Sequence, residues 1–141
     1  MEKYKFLEHT ADAKFQAFGK TLDEAFSNAA LAMFSVMFET DKIKPKVTKK
    51  IEVKADNQES LLYNFLEELL FLLDAETFFL HKVIGLKISK ANGKFVLFAE
   101  VVGDTDLQGY AIHGEVKAVT YNEMFVKKQK EQFVVQVVVD L

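Results

Sequence analysis

The stretch Gln132 to Val139, reading QFVVQVVV, is a nearly unbroken β-branched run that stops abruptly in Asp140 and Leu141. A strand that is apolar on both faces has no solvent side, so it lies centrally in a sheet or is covered on both sides. Near the other end of the chain, Tyr4, Phe6 and Leu7 form a short strand. Ala13, Phe15 and Ala17 then alternate with Lys14 and Gln16, the period of a half-buried strand. Between the two stands Glu8-His9-Thr10-Ala11-Asp12, a set of polar groups that must stay hydrated or find partners. If the last strand lies beside the first or second, Asp12, Asp140 and the carboxylate of Leu141 enter one small volume. Like-charge repulsion forbids that arrangement unless a cation is present.

The intervening chain supplies the rest of an α+β domain. Thr21 and Glu24 make the pattern T-x-x-E of a helix start, and Leu22, Phe26, Ala29, Met33 and Met37 follow at spacings of three and four. This predicts an amphipathic helix ending near Phe38, its Met and Phe packed against a sheet. Thr40 to Lys50 holds the single proline and five lysines, and reads as a loop or solvated edge. Ile51 to Ala55 alternates as a strand, and Asp56 with Glu59 is read as the cap of a second helix. That helix is apolar on most of its circumference from Leu61 to Leu73, and Glu67-Glu68 form its narrow solvent stripe. Phe78 to Leu80 and Val83 to Ser89 are strand-like. Asn92-Gly93 is a strong hairpin signal, and Lys94 to Val102 returns. Gly103 to Asp106 and Gly109 form a polar turn, and His113 to Tyr121 reads as a strand. The expectation is a single compact domain of 141 residues, with two main helices packed on mainly antiparallel or mixed β-sheet.

Composition removes several function classes. No cysteine means no thiolate nucleophile and no Cys-type zinc site. All 18 basic residues are lysine, set against 21 acids for a net charge of −3. A chain without arginine lacks the usual fork for phosphates and bases, so no strong direct nucleic-acid binding is expected. No apolar run reaches the length of a membrane span, and the N-terminal residues do not resemble a signal peptide; the expected setting is the cytoplasm, without membrane association. His9, His81 and His113 are scattered, no serine stands in a G-x-S-x-G elbow, and no glycine-rich phosphate loop precedes a helix. What survives is the oxygen-ligand group around Asp12, Asp140 and Leu141, suited to Ca²⁺, Mg²⁺ or Mn²⁺. From spacing alone two readings stand: these acids hold a cation, or Asp12 caps a turn and Asp140 is a frayed terminal acid.

The string EHTAD at 8–12, followed by Phe15 and Phe18-Gly19, Leu61-Leu62 to Leu70 with Asp74, VKAVTY at 116–121 and Asp140-Leu141, resembles the archease family over essentially the whole chain. The resemblance implies a compact α+β domain, with an inserted subregion at about 40–85 around the second helix. It also implies a non-catalytic role as protein cofactor of the RtcB-type RNA ligase in tRNA splicing, promoting guanylylation of the ligase and multiple turnover. By similarity, Asp12, Asp140 and an oxygen of Leu141 would hold a divalent metal such as Ca²⁺, with Lys117 and His9 in the same functional patch. GTP and Mn²⁺ would belong to the ligase, and tRNA would be met through it. Two positions depart from the family pattern: Asn122 stands where His is common, and Asp104 where Glu often follows the glycine. The rival readings are a metal-dependent hydrolase or nuclease using the same carboxylates, and a chaperone-like interaction module.

Overall fold

In a computed structural model of the chain, residues 2–9 and 12–141 are described; Thr10 and Ala11 of the EHTAD string lie outside them. The order is β1 (Tyr4–Leu7), β2 (Asp12–Gly19), α1 (Leu22–Ser35), a 3₁₀ turn (Thr40–Lys42), β3 (Val47–Ala55), α2 (Gln58–Glu76), β4 (Phe79–Ala91), β5 (Lys94–Asp104), β6 (Ala118–Gln129) and β7 (Gln132–Asp140). Two sheets result, β1-β2-β7-β6 and β3-β5-β4. Every pairing is antiparallel, so the α+β class holds and no mixed sheet occurs among the described residues.

The β-branched run is central, as its composition demands: β7 lies between β2 and β6. Val135, Val137 and Val139 are fully buried in the core with Phe15 and Ala17. On its other face Val134, Gln136 and Val138 are buried as well. There the cover comes from side chains of the flanking strands, since Lys14 stands opposite Val138, Gln16 opposite Gln136 and Phe18 opposite Val134. Long polar side chains lay their apolar stems over the valines and keep their heads in water.

Both helices lie between the sheets. Helix α1 packs on β2 and β7 and also on β4, while α2 packs on β3 and β5 and also on β6. This accounts for burial around most of α1, where Ala25, Ala29, Ala30 and Ala32 join Phe26, Met33 and Phe34. Gly19 permits the close approach at its start, because a Cβ there would meet the Ala25 nitrogen at 2.3 Å. Among the described residues no helix is long and apolar enough to cross a membrane.

The local signals hold at some element ends and fail at others. Thr21 Oγ1 accepts from Glu24 N–H, while the Glu24 carboxylate accepts from Lys20 N–H rather than from the cap residue itself. Helix α1 stops at Ser35, short of Phe38. The cap of α2 is Asn57, not Asp56: Asn57 Oδ1 accepts from Ser60 N–H at 2.8 Å, whereas Asp56 faces Lys94 at 3.3 Å. The two strands expected within 78–89 are one, β4, whose two register irregularities fall between Leu80 and Lys82 and between Val83 and Gly85. Asn92 and Gly93 take φ of 53° and 78°, the left-handed pair of a tight hairpin turn. The strand expected from His113 begins only at Ala118, because His113 N–H is drawn to the Met37 carbonyl and Lys117 N–H to the Asp140 carbonyl.

Candidate functional site: an acidic strand mouth

Alternation along β2 turns Ala13, Phe15 and Ala17 toward the helices and sets Asp12, Lys14 and Gln16 on the outer face. Antiparallel register then places Asp12 directly opposite Asp140, and Asp140 directly opposite Ala118 of β6. Residues opposed in this way share a face, with Cβ atoms about 4.5–5.5 Å apart, and like charges so placed destabilise the pair. The chain thus brings acids that are 128 positions apart in sequence into one cross-strand pair at the open end of the sheet. Lys117 joins through its main chain, its N–H donating to the Asp140 carbonyl at 2.8 Å. The Lys117 side chain is exposed, and Leu141 follows at the surface.

Beside the acid pair is a brace that sequence reasoning missed. Between Thr120 and Phe125 strand β6 advances five residues while β7 advances two, so an irregular loop bulges from the strand. Glu123 sits in it at φ 54°. Its carbonyl accepts from Gln136 Nε2 at 2.8 Å, and Gln136 Oε1 accepts from Gln16 Nε2 at 2.9 Å. The Glu123 carboxylate accepts from Lys14 Nζ at 2.9 Å and lies 3.1 Å from His9 Nε2. An ionised carboxylate only accepts, so Nε2 carries the proton in that contact. Those hydrogen bonds, Lys14 first and His9 second, hold the Glu123 carboxyl below its ordinary range. The other His9 nitrogen faces Asp12 Oδ2 at 3.8 Å. Within the same bulge, Tyr121 stacks on Tyr63 of α2 with ring centroids 4.2 Å apart, and burial pushes the Tyr63 phenol up.

The remaining sequence candidates are otherwise engaged. His81 Nδ1 lies 3.1 Å from the Thr40 carbonyl, and His113 Nε2 3.2 Å from the Ser35 carbonyl, so the three histidines do not converge. Asp104 is spent within its own turn: Oδ1 accepts from Asp106 N–H at 3.0 Å and Oδ2 from Tyr110 O–H at 2.6 Å. Asn122, the departure beside Tyr121, is exposed.

Lys14 was legible as the outward neighbour of Asp12, two residues along. Glu123 was not, because its position depends on a bulge whose length no local pattern announces.

The donor set defines what the site can do. Two carboxylates and neighbouring main-chain oxygens are hard donors, suited to a cation such as Ca²⁺. Among the described residues no group of three or more His, Asp or Glu side chains is placed to hold a metal, so main-chain or water oxygens would have to complete the shell. This donor chemistry fits a divalent ion of the calcium class and does not fit zinc or copper. The acids sit on a strand rim with their side chains about one quarter exposed at Asp12. A groove of about 1080 Å³ lies at the far end of the same strands, lined by Lys20, Lys130 and Gln132.

The model of the Archease protein family (MTH1598/TM1083) matches residues 4–141. The chain is 40% identical to Protein archease of Methanosarcina barkeri over 141 residues, covering 99% of this chain and 97% of that one. It is 39% identical to Protein archease of Pyrococcus furiosus across the full length of both. The solution structure of Methanobacterium thermoautotrophicum protein 1598 matches with a TM-score of 0.88 and 35% identity, covering both chains completely.

Proposed function

We propose, from the premise that this chain belongs to the archease family, that it is a non-catalytic activator of an RtcB-type RNA ligase in tRNA splicing, acting in the cytoplasm. The observation that carries the reading is the register of β2 on β7, which sets Asp12 against Asp140. Asp12, Asp140 and an oxygen of Leu141 would hold a divalent cation of the Ca²⁺ class, which supplies the positive charge that offsets the paired acids. Lys117 and His9 flank that point. The His9–Glu123–Lys14 brace keeps the rim in one arrangement.

Activation of a partner requires that this rim bind one ligase state more tightly than another. The rim would favour the guanylylation-competent state and leave phosphate chemistry to the ligase with its own GTP and Mn²⁺. The lack of arginine agrees with that division of labour, since an activator has no transferring phosphoryl group to clamp. The test is a ligation assay with limiting ligase and a 2′,3′-cyclic-phosphate RNA end, adding wild type, Asp12→Ala or Asp140→Ala. The expected outcome is at least a tenfold loss of stimulation in both variants, equivalent to about 1.4 kcal/mol of coupling. Equal stimulation by all three proteins would remove the acid pair from the mechanism.

A further inference from the structure

The inward row of β5, Leu97, Ala99 and Val101, is buried in the core against the helices, and among the described residues no helix or strand is packed on the outer face of this three-stranded sheet. In the middle of that face, on the central strand β5, Phe98 is 53% exposed. Its directly opposed neighbours are Glu52 on β3 and Lys87 on β4; one row along, Glu100 lies between Lys50 and Gly85, and beyond it Val102 lies between Thr48 and Lys82. Gly85 leaves a hollow. A shallow groove of about 360 Å³ runs there, lined by Lys50, Gly85, Lys87, Phe98 and Glu100.

Charge on this half of the chain is sorted. Glu67, Glu68, Asp74 and Glu76 are carried by α2 behind the sheet, and Lys49, which faces that side, pairs with Glu76. On the open face Lys54 lies 3.8 Å from Glu52, so those charges are spent on each other. Lys50, Lys82 and Lys87 form no ion pair among the described residues. The result is an exposed aromatic ring at the centre of an antiparallel sheet with an open groove beside it, where three unpaired ammonium groups, Lys50, Lys82 and Lys87, outnumber the one unpaired carboxylate of that face, Glu100.

We propose that this face is a weak binding platform for single-stranded RNA, within the limit that the lack of arginine sets on nucleic-acid affinity, with an unpaired base stacked on Phe98 and the flanking phosphates on Lys50, Lys82 and Lys87. Stacking on a sheet aromatic and a lysine track along the backbone are the two elements of sequence-tolerant single-strand recognition. Rows on one face of a strand are about 7 Å apart, comparable to the step between phosphates of an extended strand. Duplex RNA does not fit, because its bases are not free to stack on the ring. The choice of RNA over DNA rests on the proposed function. The platform and the acid pair lie on different sheets and can fail separately.

The test measures anisotropy of a fluorescein-labelled oligouridylate with the isolated full-length chain, without ligase. Wild type is expected to bind in the micromolar range, with affinity falling as salt rises. Phe98→Ala is expected to weaken binding about tenfold. Gly85→Val is expected to do the same by filling the groove, and a Cβ there meets nothing within 4 Å, so the fold is kept and a thermal melt checks it. The double change Lys50→Gln and Lys87→Gln lowers the salt slope by about 1.4, at roughly 0.7 per phosphate contact. No binding by wild type, unchanged binding by Phe98→Ala and Gly85→Val, or equal affinity for a duplex of the same length would each overturn the platform. Asp12→Ala should bind the oligouridylate like wild type, which separates this outcome from the ligase assay.

Discussion

Asp104 ends β5 with both carboxylate oxygens engaged, by Tyr110 O–H and by Asp106 N–H, and it is almost fully buried. Asp12 opens β2 and Asp140 closes β7, and among the described residues neither side chain accepts a hydrogen bond; they face each other across the strands. The contrast separates structural acids from available ones. A carboxylate whose lone pairs are taken has nothing left for a metal or partner, whereas two acids opposed in register keep their oxygens free and carry a repulsion that a cation relieves. The sequence separates them only in part: Gly103 to Asp106 reads as a polar turn, whereas Asp12 and Asp140 read either as cation ligands or as a turn cap and a frayed terminal acid.

The largest effect follows from removing the brace that keeps the acid rim in shape. Gln136→Leu strips the donor from the Glu123 carbonyl and the acceptor from Gln16 Nε2. Leaving such part-buried groups unpaired costs about 2 kcal/mol, which urea unfolding reads as a lower midpoint at unchanged slope. A cost near zero would show that the bulge holds itself.

Asp104→Asn comes next, and its effect depends on pH. The Tyr110 hydroxyl, followed by the Asp106 N–H, holds the Asp104 carboxyl below its ordinary value of 3.8. A depressed carboxylate contributes stability that is present above the unfolded value and lost as pH falls through the folded one. Wild type should therefore exceed Asp104→Asn in thermal stability at pH 7, and the gap should close below about pH 3.8. A gap that is constant down to pH 2 would contradict an ionised, structural role.

The smallest effect has the opposite sign. In the absence of divalent ions, Asp140→Asn removes a like-charge opposition and should stabilise the fold by about 0.5 kcal/mol. A destabilisation would mean that Asp140 is already serving the apo structure.

How far the sequence reaches can be judged residue by residue. The β-branched run was readable as a central strand because both its faces are apolar, and that placement makes the meeting of Asp12 and Asp140 possible. The Asn92-Gly93 turn and the Thr21 cap were readable because a few neighbouring residues determine them. Asn57 rather than Asp56 caps α2, its side chain taking the Ser60 N–H while Asp56 faces Lys94; a one-residue offset at a helix end is beyond what the pattern resolves. The His113 to Lys117 segment alternates like a strand but spends its N–H groups on Met37 and Asp140. Glu123 was out of reach because the extra residues of β6 that carry it toward His9 and Lys14 leave no periodic trace.

The central claim is that Asp12 and Asp140 jointly hold a divalent cation, and Ca²⁺-dependent thermal unfolding of wild type beside Asp12→Asn and Asp140→Asn tests it most directly. At about one hundred times the dissociation constant, binding to the folded state alone stabilises wild type by about 2.7 kcal/mol. The account predicts a clear rise in melting temperature for wild type and none for either variant, so that Asp140→Asn passes from slightly more stable without Ca²⁺ to less stable with it. An equal rise in all three proteins, or no rise in wild type with Ca²⁺, Mg²⁺ or Mn²⁺, would contradict it.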